Sequence, residues 1–351
     1  MFLCFLIGLS SCTPFGRQKK SEETSRQNQI LPFPENLTKA IQEILPSVVE
    51  VAAIVEYRVE EYQYELQNGR YIRDPASPVG YRLVKHDNKP GIVTSKANTK
   101  AFGAGLVIGL STDRILILTS RHIVVQEDTL TDYIYLNNHY TDIPRTRAFL
   151  KRNELGVRGV SNTLRAAELF AENARWDLAL ITAARRDFIG TQYVSHIAQK
   201  FEQVWGRFAV VVGYPNEIKQ VAMGLTGDSP YPGNFSVGIH GDFGFSGGPV
   251  FLFDSGLGLS LIGVGKSVPG KKVFFVTPDS SLRFRTRLHN RDIPHLQVEE
   301  MAMLAPHRIY AVQIYQVLRF IREHLDMIER RGYKLSPEFY DAVQAVESDG
   351  Y

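Results

Sequence analysis

The sequence predicts an all-β fold, many short strands closed into barrels or a sandwich and finished by one amphipathic helix. Short apolar, β-branched runs recur between Gly- and Pro-rich turns from residue 101 to residue 276, which is the pattern of a barrel or sandwich. No alternation of strand and long helix accompanies them, so a doubly wound parallel sheet is not expected. A sustained helical period comes only near the end, where Ile314, Val317, Leu318, Ile321, Leu325 and Ile328 share one face.

The elements follow in order. Leu37, Ala40, Ile41 and Ile44 predict a helix over 37–45, capped by Asn36 and stopped by Pro46. Ser47 to Val55 is β-branched and reads as a strand. Residues 57–100 alternate Tyr57, Tyr62, Tyr64, Tyr71 and Tyr81 with charges, broken by Pro75, Pro78 and Pro90. They read as an inserted loop or hairpin. Strands are expected near 101–109, 114–119, 132–136, 177–183, 208–213, 235–239, 249–253, 259–266 and 272–276. Residues 145–175 carry mixed charge and read as a loop with a short helix. Arg308–Gln313 reads as the last strand, and residues 331–351 as a tail.

Composition bounds the function. Of 351 residues 44% are hydrophobic and 22% charged, enough apolar matter for a sizeable core. Net charge is 40 − 37 = +3, with no basic run interleaved with aromatics. Nucleic acid is therefore not an expected partner. Both cysteines, Cys4 and Cys12, lie in the first dozen residues, so the folded part has no disulfide, no thiolate zinc site and no cysteine nucleophile. No cofactor or metal is expected.

The first residues read as an address. Phe2 to Leu9 is apolar but shorter than the ~20 residues a membrane-spanning helix needs. Leu9-Ser10-Ser11-Cys12 resembles the bacterial lipobox, although no Lys or Arg precedes it. That resemblance implies a signal peptide over 1–11, acylation of Cys12, and a lipoprotein held at the membrane, with the outer membrane facing periplasm or surface as its expected place. Residues 12–35, rich in Ser, Gln, Glu, Lys and Arg, read as a solvated tether. The lipid is then the only membrane contact.

Three short motifs carry the chemistry. His122 follows the apolar run Ile115-Leu116-Ile117-Leu118-Thr119-Ser120; Asp177 opens Leu178-Ala179-Leu180-Ile181; Ser246 sits in Gly244-Phe245-Ser246-Gly247-Gly248-Pro249. An imidazole, a carboxylate and a hydroxyl are the groups that acyl transfer needs. A serine is a weak nucleophile until a base takes its proton, and the base needs an anion to hold its tautomer. The glycines allow a sharp turn that exposes the hydroxyl and lets the N–H groups of Gly244 and Ser246 converge on an oxyanion.

Taken together the motifs resemble the trypsin/chymotrypsin fold, in particular its HtrA/Deg-type bacterial branch, over roughly residues 45–325. Gly103-Ala104-Gly105-Leu106, Val212-Gly213-Tyr214-Pro215, Leu261-Ile262-Gly263-Val264 and Tyr310-Ala311-Val312 add to the likeness. The resemblance implies one protease domain over 36–330, built of two six-stranded antiparallel β-barrels with a cleft between them; the family's trailing PDZ domain is not expected, since few residues follow the last helix. It implies a serine endopeptidase with His122 as base, Asp177 as its orienter, Ser246 as nucleophile, and Gly244 and Ser246 as the oxyanion hole. It implies a protein or peptide substrate of small or aliphatic preference. His240 and Gly241, with Asp242, are expected at the primary pocket, and Val264 and Gly265 on its wall. Homo-oligomers built on the N-terminal segment, where Leu31, Phe33 and Leu37 are apolar, are a further implication.

Two departures stand out. Phe245 occupies a position usually acidic or amide, so activation by an ammonium–carboxylate pair at that residue is excluded. The separation of His122 and Asp177, 55 residues, implies an insertion within 140–175. Two other functions fit parts of the pattern. A trypsin-like fold without catalysis would serve as a binding or scaffold module. Gly244-Phe245-Ser246-Gly247-Gly248 also fits the nucleophile elbow of α/β-hydrolase esterases, with Asp254 and His289 as candidate partners, although the intervening helices of that fold are missing. If Asp177 does not orient the base, Asp132, Asp142 and Asp187 are the substitutes.

Overall fold

The computed structural model describes residues 35–346 except 88, 137–138, 160–162, 189, 195–196, 199–204, 255–257, 279–295 and 306. The leader, Cys12, the tether, Leu31, Phe33 and His289 lie outside the described residues.

After helix α1 (Glu35–Ile44), strand β1 (Val48–Tyr62) runs up one side of a first barrel. The chain returns down β6 (Ile92–Leu110), and the two pair in unbroken antiparallel register from Val48↔Leu106 to Tyr62↔Ile92. Four two-residue strands decorate the hairpin's tip: β2 (Leu66–Gln67), β3 (Arg70–Tyr71), β4 (Lys85–His86) and β5 (Lys89–Pro90). Residues 57–100 are thus the outer half of a long hairpin. Its tip has a small core of Tyr62, Val79 and Leu83 with Tyr64 and Ile92 against it.

The first barrel continues with β7 (Arg114–Ser120), the one-turn helix α2 (Arg121–Val124), β8 (Thr129–Leu136), β9 (His139–Arg158), β10 (Arg165–Asn173) and β11 (Leu178–Ala184). Six strands, in the order β1-β6-β7-β11-β10-β9, close through the pairing of β9 with β1, and β8 pairs the outer half of β9. Residues 145–175, expected as a loop with a short helix, are instead strand β9 and strand β10. Much of β9 lies in the arm beyond the barrel, where half-buried and exposed residues follow no regular alternation, so it carries no clean strand pattern.

The second barrel uses β12 (Phe208–Gly213), β13 (Gln220–Gly227), β14 (Asn234–Gly238), β15 (Pro249–Asp254), β16 (Gly258–Ser267) and, after the hairpin β17 (Gly270–Pro278)–β18 (Leu296–Leu304), β19 (Ile309–Gln313). Their closed order is β12-β13-β14-β19-β16-β15. The architecture is all-β with two six-stranded antiparallel barrels, the trypsin-like arrangement.

The C-terminal helix is two pieces, α3 (Ile314–Glu323) and α4 (Leu325–Arg330), separated by non-helical His324. The residues beyond are not a loose tail. Strand β20 (Lys334–Leu335) pairs β6, and α5 (Pro337–Ala345) buries Phe339 and Val343 completely. Its Ser336 cap accepts from the Phe339 N–H at 3.1 Å, a helix start with Pro at the first position. One apolar cluster joins the whole: Leu106 and Leu118 of the first barrel, Val210 and Leu261 of the second, Leu37 of α1, Phe320 of α3 and Phe339 of α5.

Candidate active site

Strand β7 delivers His122. Its last residues, Thr119 and Ser120, are fully buried and polar, and each ties the strand end to another segment. Thr119 Oγ1 donates to Ala104 O at 2.7 Å and Ser120 Oγ donates across the barrels to Gly265 O at 3.1 Å. Helix α2 begins one residue later, so the imidazole stands on a fixed mount.

Asp177 reaches the histidine through strand register. Leu178 pairs Ser120 across β11 and β7, which sets the residue before the one opposite the residue after the other. One strand pairing closes the 55-residue gap. Asp177 has a left-handed backbone, φ 58°, a conformation that Asp tolerates better than most residues. Its carbonyl accepts from the Arg121 N–H at 3.0 Å. Its carboxylate grips the histidine twice: Oδ1 accepts from the His122 backbone N–H at 2.9 Å and Oδ2 lies 2.7 Å from Nδ1. A carboxylate only accepts, so Nδ1 carries a proton, and in the neutral imidazole Nε2 holds the lone pair. The carboxylate is 16% exposed and the imidazole 47%, an anchored anion below an accessible base.

Ser246 lies on a turn pinned from both sides. Gly244 takes φ +109°, and a Cβ there would meet Tyr214 O at 2.4 Å, so only glycine fits. The Tyr214 N–H donates to Gly244 O at 2.9 Å and the Ala104 N–H, from the other barrel, to Ser246 O at 2.8 Å. Gly247 donates to Gly265 O at 2.7 Å and Gly248 to Phe245 O at 3.0 Å. No backbone carbonyl of the described residues takes the N–H of Gly244 or of Ser246. Phe245 points inward, 4% exposed, into the core of the second barrel beside Val211 and Val250. Gly213 makes room for it, since a Cβ there would meet the ring at 2.6 Å.

The Ser246 hydroxyl donates to Lys266 O at 3.1 Å rather than to the imidazole. His122, Asp177 and Ser246 all border one cleft of about 510 Å³. Lys100, Ala101 and Phe102 form its wall on the first barrel. Asp242, Phe243, Lys266, Ser267 and Val268 form its wall on the second. Two hollows of about 670 and 710 Å³ lie elsewhere on the first barrel and contain none of the three residues. The cleft also sits beside an ion cluster in which Lys100 meets Glu217 at 2.6 Å. The Lys100 ammonium, hydrogen-bonded to it, holds the Glu217 carboxyl below its usual range.

Of the five residues expected around a specificity pocket, Asp242 borders this cleft and the other four do not. His240 is exposed, Gly241 is buried against Ile309 and Val268, Val264 is in the shared core, and the Gly265 carbonyl is taken by Gly247 and Ser120. Asp132, Asp142 and Asp187 pair with Arg145, Arg73 and Arg165 instead of His122. Phe243, 63% exposed on the rim, and Lys100 escaped the sequence reading. Phe243 had one signal, its place three residues before the serine; Lys100 had none. Among the described residues no three His, Cys, Asp or Glu side chains gather as a metal site.

No family model matches the sequence, and no curated protein does either. Among solved structures it is similar to one described as the HtrA-type protease AlgW with decapeptide. The identity is 13% and the TM-score 0.44, over 83% of this chain and 67% of that one.

Proposed function

We propose that the protein is a serine endopeptidase of the HtrA/Deg type. The observation that supports this most is the double grip of Asp177 on His122, 2.9 Å to the backbone N–H and 2.7 Å to Nδ1, beside a cleft that also exposes Ser246. That grip fixes the tautomer in which Nε2 accepts a proton.

In the proposed reaction Ser246 Oγ leaves Lys266 O by rotation about its own side-chain bonds and gives its proton to His122 Nε2. It then attacks a peptide carbonyl carbon. The carbonyl oxygen becomes an oxyanion facing the N–H groups of Gly244 and Ser246. The imidazolium, steadied by Asp177, returns the proton to the leaving amine. Water, deprotonated by the same nitrogen, releases the acyl group as a carboxylate and restores the serine.

A fluorophosphonate probe tests the reading. Labelling of the wild type that vanishes in Ser246→Ala and His122→Ala supports it. Well-folded wild type that stays unlabelled refutes it. That result would favour a trypsin-like binding module, to which the Ser246–Lys266 hydrogen bond also lends itself.

The lipobox-like Leu9–Cys12 motif supports a second part of the proposal, an exported lipoprotein tethered through acylated Cys12, with a protein or peptide as the substrate it meets outside the cytoplasm. Incorporation of an alkyne-tagged fatty acid in bacterial cells, lost in Cys12→Ala, is the expected result; equal incorporation in both removes the anchor.

A further inference from the structure

We propose that the ion cluster of Glu50, Lys100, Arg158 and Glu217 is a positioning device that ties the oxyanion turn of the second barrel to the first. Lys100 and Glu217 are its positioning residues. The inference rests on the serine-hydrolase reading above.

The turn after β12 abuts the segment that carries Gly244 and Ser246. The Tyr214 N–H holds Gly244 O at 2.9 Å, and Gly244 has no room for a side chain because Tyr214 and Pro215 stand against it. Any shift of Tyr214–Glu217 therefore moves the Gly244 N–H. This turn does not rest in a relaxed conformation. Asn216 and Glu217 are two consecutive non-glycine residues with positive φ, 52° and 62°, which persist only where surrounding contacts hold them.

Those contacts come from the first barrel. Glu217 meets Lys100 of β6 at 2.6 Å and Arg158 of β9 at 3.5 Å. Both cations also face Glu50 of β1, at 3.8 and 3.3 Å. Next to the cluster, Lys219 Nζ donates to Leu45 O at 2.9 Å and Val48 O at 2.7 Å, and Tyr214 OH donates to Val48 O at 3.2 Å. Every tie runs from the turn to the first barrel or the segment that leads into it.

Stability alone is a poor reason for this arrangement. Glu50 is wholly buried, and among the described residues neither carboxylate oxygen has a hydrogen-bond donor. Burial pushes its carboxyl above the usual range. A buried ion cluster is commonly no more stable than well-packed apolar residues of like volume. What apolar packing would not supply is a directional link between a strained turn and two strands. Lys100 also borders the cleft itself, so one side chain touches both the link and the site.

The test is the rate of fluorophosphonate labelling, resolved into a limiting inactivation rate and a half-saturating concentration. Glu217→Gln and Lys100→Met are expected to lower the limiting rate about 10–100-fold, the scale of an oxyanion donor misplaced by about an ångström. The half-saturating concentration should stay within about twofold, and Lys100→Arg should recover most of the rate. Circular dichroism melts establish that the variants fold; Lys100→Met and Glu217→Gln act at opposite ends of one ion pair, so either suffices if the other fails. Wild-type rates in both folded variants overturn the inference and leave the hydrolase reading intact. A loss confined to the half-saturating concentration also overturns it, since that marks a contact with the ligand. Wild type that cannot be labelled overturns the hydrolase reading and this inference together.

Discussion

Phe245 is where the chain departs most from the family it resembles, and its burial makes a quantitative prediction. The ring is 4% exposed among Val211, Val250 and the rest of the second-barrel core, while the neighbouring Gly244 and Ser246 border the cleft. The turn that carries Gly244 and Ser246 is therefore anchored by an apolar plug. A buried phenylalanine removes about 150–250 Å² from water, worth roughly 4–6 kcal/mol at ~25 cal/mol per Å². Measured Phe→Ala losses run about 3–5 kcal/mol, so about 4 kcal/mol is expected for Phe245→Ala. With about 300 folded residues and ~2.1 cal/mol/K each, the unfolding entropy is about 0.6 kcal/mol/K, and Tm should fall by about 6 °C. The turn loses its anchor too, so the fluorophosphonate labelling rate should drop about 100-fold at temperatures where the variant is still folded. Phe245→Asp should be worse, because it buries a carboxylate without a partner. Calorimetry with parallel labelling reads both effects. If Phe245→Ala melts within about 1 °C of wild type and labels at the same rate, the ring is no anchor and the reasoning fails.

Other perturbations have equally definite outcomes. Asp177→Asn should keep the fold and lower labelling about 10⁴-fold, since an amide no longer enforces the Nδ1–H tautomer; undiminished labelling would remove Asp177 from the role. Replacing residues 63–91 by a short turn joining Tyr62 to Ile92 should leave Tm within about 2 °C and labelling within about twofold, because the β1–β6 pairing up to Tyr62↔Ile92 is kept; a large rate change would instead make the arm a regulator of the cleft. Glu217 is held ionised by Lys100 and Arg158, so its contribution to stability is full above the ordinary glutamate range near pH ~4.3 and is lost as pH falls through its lowered value. Tm measured against pH should thus decline less steeply on acidification in Glu217→Gln, with Glu50 still free to titrate; identical slopes would place no linkage at Glu217. Phe339→Ala should cost about 3–5 kcal/mol if α5 is part of the shared core, and a change under 1 kcal/mol by denaturant titration would return it to the status of a tail.

What the sequence made legible follows from where each segment lies. Runs such as Ile115–Leu118, Leu178–Ile181 and Val210–Val212 are buried on both faces, so their apolar character was continuous and unmistakable. The outer stretch of β9, Tyr140–Asn153, buries only Ile143 and Pro144 and is otherwise half-buried or exposed and charged, so its composition did not separate it from a loop. Helix α5 was missed for a different reason. Its Ser336-Pro337 start was a readable cap, but Phe339, Ala342 and Val343 give only two turns of pattern, and their burial depends on α3 and β20 arriving from elsewhere. The site divides in the same way. His122, Asp177 and Ser246 each stand in a local context that physical chemistry can interpret. Lys100 and Glu217 are ordinary surface residues in sequence, 117 positions apart, and only tertiary structure makes them neighbours.

The placement of the site on strand ends rather than on long loops bears on how the protein would work. His122 and Asp177 come from the first barrel, Ser246 from the second, and yet no hinge separates them. The core around Leu106, Leu118, Val210 and Leu261 is continuous across the barrels. Ala104 N–H to Ser246 O and Ser120 Oγ to Gly265 O cross the seam within one or two residues of the site. Sliding the barrels would break these buried bonds at about 1–3 kcal/mol each before any apolar contact is lost. Closure of the two halves would therefore cost more than it aligns. The hydrogen bond of Ser246 Oγ to Lys266 O is by contrast a single side-chain contact on the rim of the cleft. Under the proposed function, then, what has to change is the side-chain hydrogen bond of Ser246 to Lys266 O, and a peptide entering the cleft beside Lys266 would compete for it.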